Sequence, residues 1–157
     1  MIEKADILVI GIGNPHRCDD RIGFFVIDLL QKSVYKDVEF IKINSDGYAI
    51  MDAWKDRGRV IIVDAAISDE LTGTVHRFDA LAEQIPGNLA PVSSHSINLA
   101  ETISLAGTLG RLPGYLHIFA IEGEEFGYGE KLTWEVEKAG YKVVDEIANL
   151  IELLSDD

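Results

Sequence analysis

Three places in the chain carry side chains able to hold an ion or move a proton: the adjacent acids Asp19 and Asp20, the acid Asp64 and the imidazole of His95. Asp64 directly follows the apolar run Val60-Ile61-Ile62-Val63. A carboxylate that close to a core must be paired, hydrogen-bonded or metal-bound, and a helix N-cap role explains it as well as a ligand role does. Asp19 and Asp20 diverge by about 100° on a helical start, so only one of them can face a shared site. Read singly, both acids suit the solvated, positive end of a helix, and a lone His95 is a surface or satisfied core histidine. Brought together, two carboxylates and one imidazole form a mixed oxygen and nitrogen set suited to a divalent transition ion such as nickel or zinc, with coordination positions left open. His76 and His117 fall inside predicted strands and read as structural, and His16 as a loop side chain.

The surrounding elements determine whether such groups can meet. Ile7-Leu8-Val9-Ile10, stopping at Gly11, reads as a strand covered on both faces, and Ile22, Val26, Leu29 and Leu30 recur at helical spacing behind Asp19-Asp20. Val38–Ile43 follows as a strand, Gly47–Lys55 as a short helix, and Val60–Val63 as a buried strand ending at Asp64. This βαβαβ rhythm predicts an α/β layered fold. Thr74–Phe78 alternates weakly, as an edge strand does, and Asp79–Ser94 reads mostly as a loop. Leu99, Ile103, Ala106 and Leu109 predict a helix capped by Asn98 with Glu101 at its third position, ending near Gly110. Tyr115–Ile121 is a further strand, and Val136, Val143, Ile147, Leu150 and Leu154 predict a long closing helix opened by Thr133. Ligands of open parallel sheets sit at the carboxyl ends of the strands. The loop Gly11–Gly23, Asp64 and the segment Ser93-Ser94-His95-Ser96 all fall at that edge.

Gly11-Ile12-Gly13 after a strand suggests a dinucleotide loop, but His16 stands where the third glycine belongs. Asp19 and Asp20 would also oppose a pyrophosphate, so a nucleotide site is rejected and a tight turn is expected.

Composition narrows the partners. The 157 residues carry 14 basic and 27 acidic side chains, a formal charge of −13, which disfavours nucleic acid and anionic lipid. Length and 47% apolar content predict one packed domain over residues 1–157. A single cysteine, Cys18, excludes an internal disulfide, acidic residues near the N-terminus do not suit a signal peptide, and no apolar run is long enough to span a bilayer. A cytoplasmic location without membrane insertion is expected. The acidity is uneven: residues 1–78 hold 10 basic and 13 acidic groups, residues 79–157 hold 4 and 14. Much of the excess lies in Glu122-Gly123-Glu124-Glu125, Glu130 and the closing helix, expected as a solvated face.

Taken in order, Ile10-Gly11-Ile12-Gly13-Asn14-Pro15, Asp19-Asp20-x-x-Gly23, Val63-Asp64-Ala65, Ser93-Ser94-His95 and Ile121-Glu122-Gly123 resemble the hydrogenase maturation proteases, endopeptidases that trim the C-terminal tail of the nickel–iron hydrogenase large subunit. The resemblance covers nearly the whole chain. It implies a three-layer α/β sandwich with a twisted, mainly parallel sheet between helices. It further implies that Asp20, Asp64 and His95 are the metal-contacting and catalytic trio, gripping nickel that belongs to the substrate, although other divalent ions suit the same donors. The implied partner is the large-subunit precursor, and Asn14, Asp46 and Tyr48 become candidates for the substrate groove. The chemistry stays open between polarisation of the scissile carbonyl by the metal and general-base action of a carboxylate on water. The sequence departs from the usual family pattern at Cys18 and Arg21, where glycines are common, and at Tyr48 and Ala49 after Asp46-Gly47. Those departures support a second reading, a non-catalytic member that binds metal or holds the precursor. A third is a small-ligand α/β hydrolase using paired carboxylates.

Overall fold

A computed structural model describes residues 4–44, 46–86 and 98–156. Among these residues five strands form one sheet: β1 Ile7–Ile12, β2 Val38–Ile43, β3 Arg59–Ala66, β4 Val75–Asp79 and β5 Tyr115–Glu122, in the order β2-β1-β3-β5-β4. The first three and β5 run parallel, and β4 lies antiparallel on β5 at an edge, where the weak alternation placed it. Among the described residues four helices cover the sheet: α1 Ile22–Leu30, α2 Gly47–Trp54, α3 Leu99–Thr108 and α4 Trp134–Ser155.

The central strands are apolar on both sides because each face meets a helical layer. Leu8, Ile10, Ile62, Leu116 and Ile118 pack with Ile50 and Trp54 of α2 and Leu99 and Ile103 of α3. Ile7, Val9, Ile61, Val63 and Ile121 pack with Ile22 and Val26 of α1 and Val143 and Ile147 of α4. Asn98 caps α3 by accepting from the Glu101 N–H at 2.8 Å, and Asp46 caps α2 by accepting from the N–H groups of Tyr48 and Ala49.

Several boundaries differ from expectation by a residue or two, and two of the differences bear on chemistry. Strand β3 continues through Asp64 to Ala66, because Asp64 to Ala66 stay in register with Ala120 to Glu122 of β5. Asp64 therefore sits within the sheet, not after it. Asp19 and Asp20 do not open α1: Cys18–Arg21 forms its own 3₁₀ turn, and the first turn of α1 has no acid. Of the expected loop at Asp79–Ser94, only the part up to residue 86 lies within the described residues.

The 3₁₀ turn sits tightly on the sheet because glycines permit close backbone approach. A Cβ on Gly23 would lie 2.5 Å from the Ile12 carbonyl oxygen and 2.6 Å from that of Val63. One on Gly13 would lie 1.9 Å from the Asp20 carbonyl oxygen. Gly13, from the expected tight turn, and Gly23, in the first turn of α1, thus seat the chain carrying Asp20 against the ends of β1 and β3.

Candidate active site

Asp20 and Asp64 converge at the carboxyl edge of the sheet, near enough that the charge of Asp20 helps to raise the pKa of Asp64. Asp64 is fully buried. Its Oδ1 accepts from the Ala65 N–H at 2.8 Å, whereas Oδ2 is buried without a hydrogen-bond partner. Burial is the main reason its carboxyl stands well above the usual carboxylate range, with the Ala65 N–H partly opposing that shift.

Asp20 is also buried, and its Oδ1 likewise has no partner. Desolvation pushes its carboxyl up to about 7, against the lowering influence of the Arg17 guanidinium, 4.0 Å from Oδ2, and of the Asn14 N–H. The expectation that Asp19 and Asp20 are solvated helix-start acids is therefore overturned for both. A buried aspartate with an unpaired oxygen is costly, and two side by side are costlier.

Asp19 points the other way, as the divergence of adjacent residues requires. Its Oδ1 accepts from the Thr133 N–H at 2.7 Å, and its Oδ2 accepts from the N–H groups of Glu124 and Glu125, both at 2.9 Å, and from the Thr133 hydroxyl at 2.6 Å. Thr133 precedes α4 as predicted, but its hydroxyl serves Asp19 and makes no cap bond to the helix. Segment 123–133 thus straps the 3₁₀ turn, reinforced by the Cys18 N–H on the Gly129 carbonyl at 2.8 Å and Arg17 Nε on the Phe126 carbonyl at 3.1 Å. Cys18 holds φ at +45°, a left-handed conformation suited to the glycine common there.

Of the remaining predicted site residues, His95 lies outside the described residues. Asn14 lies beside Asp20, its N–H bonded to the Asp20 carbonyl at 3.2 Å and its side chain accepting from His16 N–H. Asp46 is occupied as a helix cap, and Tyr48 beside it is largely exposed. Sequence reasoning missed Arg17 and the strap through Asp19. The spacing of Arg17 three residues before Asp20, one turn of helix, was the available signal for the first.

The donor set fits a divalent cation in one respect: two hard oxygen atoms, Asp20 Oδ1 and Asp64 Oδ2, are buried and unpartnered at one sheet edge. Among the described residues no group of three or more His, Cys, Asp or Glu is placed to hold a metal.

The fold and the paired carboxylates define an α/β domain with a polar site at the carboxyl ends of a mainly parallel sheet. The family model described as hydrogenase maturation protease matches residues 25–150, and the chain belongs to that family; it is a hydrogenase maturation endopeptidase. It is 28% identical over 93% of its length to a Methanocaldococcus jannaschii protein whose name assigns it by inference to the hydrogenase maturation proteases, 99% of which is covered. It is 28% identical over 83% of its length to the hydrogenase 2 maturation protease of Escherichia coli, 81% of which is covered. The fold is shared with the E. coli hydrogenase maturating endopeptidase HybD, with a TM-score of 0.78 at 22% identity, covering 93% of this chain and 91% of that one.

Proposed function

We propose that this endopeptidase removes the C-terminal tail of a nickel–iron hydrogenase large-subunit precursor in the cytoplasm after nickel insertion, with Asp20, Asp64 and His95 gripping the nickel carried by the precursor. The observation that carries this reading is the pair of buried, unpartnered carboxylate oxygens on Asp20 and Asp64. Without a cation the two acids favour proton uptake. A precursor loaded with nickel supplies the positive charge that lets both ionise, so the metal acts as the signal that the substrate is ready. Once ionised, the Asp20 carboxylate is placed to take a proton from water as the water oxygen bonds to the scissile carbonyl carbon, and to return it to the departing amine as the C–N bond breaks. Asp64, fixed by the Ala65 N–H, sets the floor of the site.

Incubation with nickel-loaded precursor should release the tail, seen as a mass loss by mass spectrometry, and Asp64→Asn should slow that release by at least about a hundredfold. Equal processing by Asp64→Asn would sink the site assignment. Stable co-purification with this precursor and no cleavage would overturn the proposed processing step and leave a holding role toward that precursor.

Docking follows from the same geometry. Glu124 and Glu125 expose their side chains while their N–H groups bind Asp19, so their charges stand beside the turn that carries Asp20. We assign them a basic segment of the precursor. The double variant Glu124→Gln/Glu125→Gln should weaken association about three- to tenfold at low salt, with the difference lost at high salt. A salt-independent affinity in parent and variant would remove these residues from the interface.

A further inference from the structure

Ile121-Glu122-Gly123 has no role in the site so far, and its glutamate is not part of the solvated acidic face predicted from sequence. Glu122 is 1% exposed at the end of β5. Its Oε2 accepts from the Ser68 N–H at 2.9 Å, its Oε1 accepts from the Ser68 hydroxyl, and the same Oε1 lies 2.8 Å from His76 Nε2. A buried carboxylate so fully engaged fixes the orientation of the imidazole and commits Nε2 to one partner, as carboxylates do behind functional histidines.

His76 belongs to edge strand β4 and its side chain is 26% exposed. The strand register gives its place relative to the site. His76 pairs with Ala120, and Ala120 pairs with Asp64, so the three form one row across β4, β5 and β3. Residues opposite one another in a sheet project from the same face. Asp64 and His76 therefore stand on one face, separated by two strand spacings of about 4.8 Å each. The side chain between them is a single methyl group. With Nε2 held by Glu122, Nδ1 is the ring nitrogen left over, and among the described residues it makes no hydrogen bond.

We propose that His76 is a substrate-binding residue of this protease, its Nδ1 hydrogen-bonding the main chain of the precursor about three residues from the bond cut beside Asp64, with Glu122 and Ser68 as positioning residues. The spacing follows from the rise of an extended peptide, roughly 3.3 Å per residue, across the distance from Asp64 to His76. This rests on the proposed function.

The test is steady-state processing of nickel-loaded large-subunit precursor by parent and His76→Gln, with thermal melts of both. Gln retains a donor for Glu122 but lacks Nδ1, so KM should rise about tenfold, with kcat within about twofold and the melting temperature unchanged. An unchanged KM overturns the assignment, and a lowered melting temperature with unchanged KM identifies His76 as a structural ion-pair partner only. Should His76→Gln fail to fold, the ¹⁵N imidazole resonances of the parent are read with nickel-loaded precursor whose scissile amide is N-methylated. A shift of His76 Nδ1 without shifts at His16 and His117 supports the proposal, and no shift at His76 overturns it. A parent that does not process the precursor overturns the function reading and this inference with it. A parent that processes it beside an equally effective His76→Gln overturns this inference alone.

Discussion

Asp20→Asn is expected to lose tail cleavage and to gain stability at pH 8, two effects with one cause. The Asp20 carboxyl is raised from 3.8 to about 7, chiefly by burial, and this value already includes the opposing influence of Arg17. Between those pH values the folded protein holds a proton that the unfolded chain has released. Stability attributable to this group therefore falls as pH rises from about 4 to about 7 and stays low above that range. A shift of this size corresponds to at most about 4 kcal/mol, so Asn should stabilise the fold by up to that amount at pH 8 and by nothing below pH 4. Removing the Asp20 charge also relieves Asp64, whose pKa that charge raises, so the gain is shared across the pair. Urea melts at pH 8 and pH 4 give the two stabilities. A variant less stable than the parent at pH 8 would show that burial is not what governs Asp20.

That trade of stability for a charged pair is invisible in the local sequence, although the frame around it is not. Val60–Val63 is legible as a strand because only a residue covered on both faces is apolar at every position, and α3 is legible from Asn98 and Glu101 because capping is local. Asp64 was placed correctly as a near-core acid for the same reason. The solvated reading fails for Asp19 because its partners lie more than 100 residues away, and for Asp20 because the fold buries it beside Asp64, which is far from it in the sequence. Asp19 finds Glu124, Glu125 and Thr133 at separations of 105, 106 and 114 residues. Glu122 was misjudged in a related way: two exposed neighbours in the sequence, Glu124 and Glu125, suggested a charged surface, whereas strand β5 carries Glu122 inward to Ser68 and His76. Periodicity reports burial of a strand as a whole. It does not report which long-range donor will make one buried acid affordable.

Asp19→Ala tests the strap directly, and its expected effect is on stability and on catalysis together. The carboxylate is fully buried and receives four hydrogen bonds, three from backbone N–H groups. Truncation leaves those donors without their acceptor, each such loss costing about 1–3 kcal/mol. The bonds share one carboxylate and do not add fully, so the expected loss is about 3–5 kcal/mol. Asp19→Asn keeps the shape but turns an amide N–H₂ toward donors, and should lose less, about 2 kcal/mol. Backbone bonds from Cys18 to Gly129 and from Asp19 to Glu125 remain in both variants, so the turn is loosened and not released. Loosening displaces Asp20, and a shift of about 1 Å is enough to cost roughly a hundredfold in rate. Urea melts should therefore rank parent above Asp19→Asn above Asp19→Ala, with cleavage following the same order. Amide hydrogen exchange locates the cause: Glu124, Glu125 and Thr133 should lose protection in Asp19→Ala while Ile61 and Ile118, in the central strands, keep it relative to global stability. Uniform loss across all five amides would mean that Asp19 supports the fold at large, and that Asp20 is held in place without the strap, by the Gly13 and Gly23 contacts and its backbone bonds to Asn14 and Arg17.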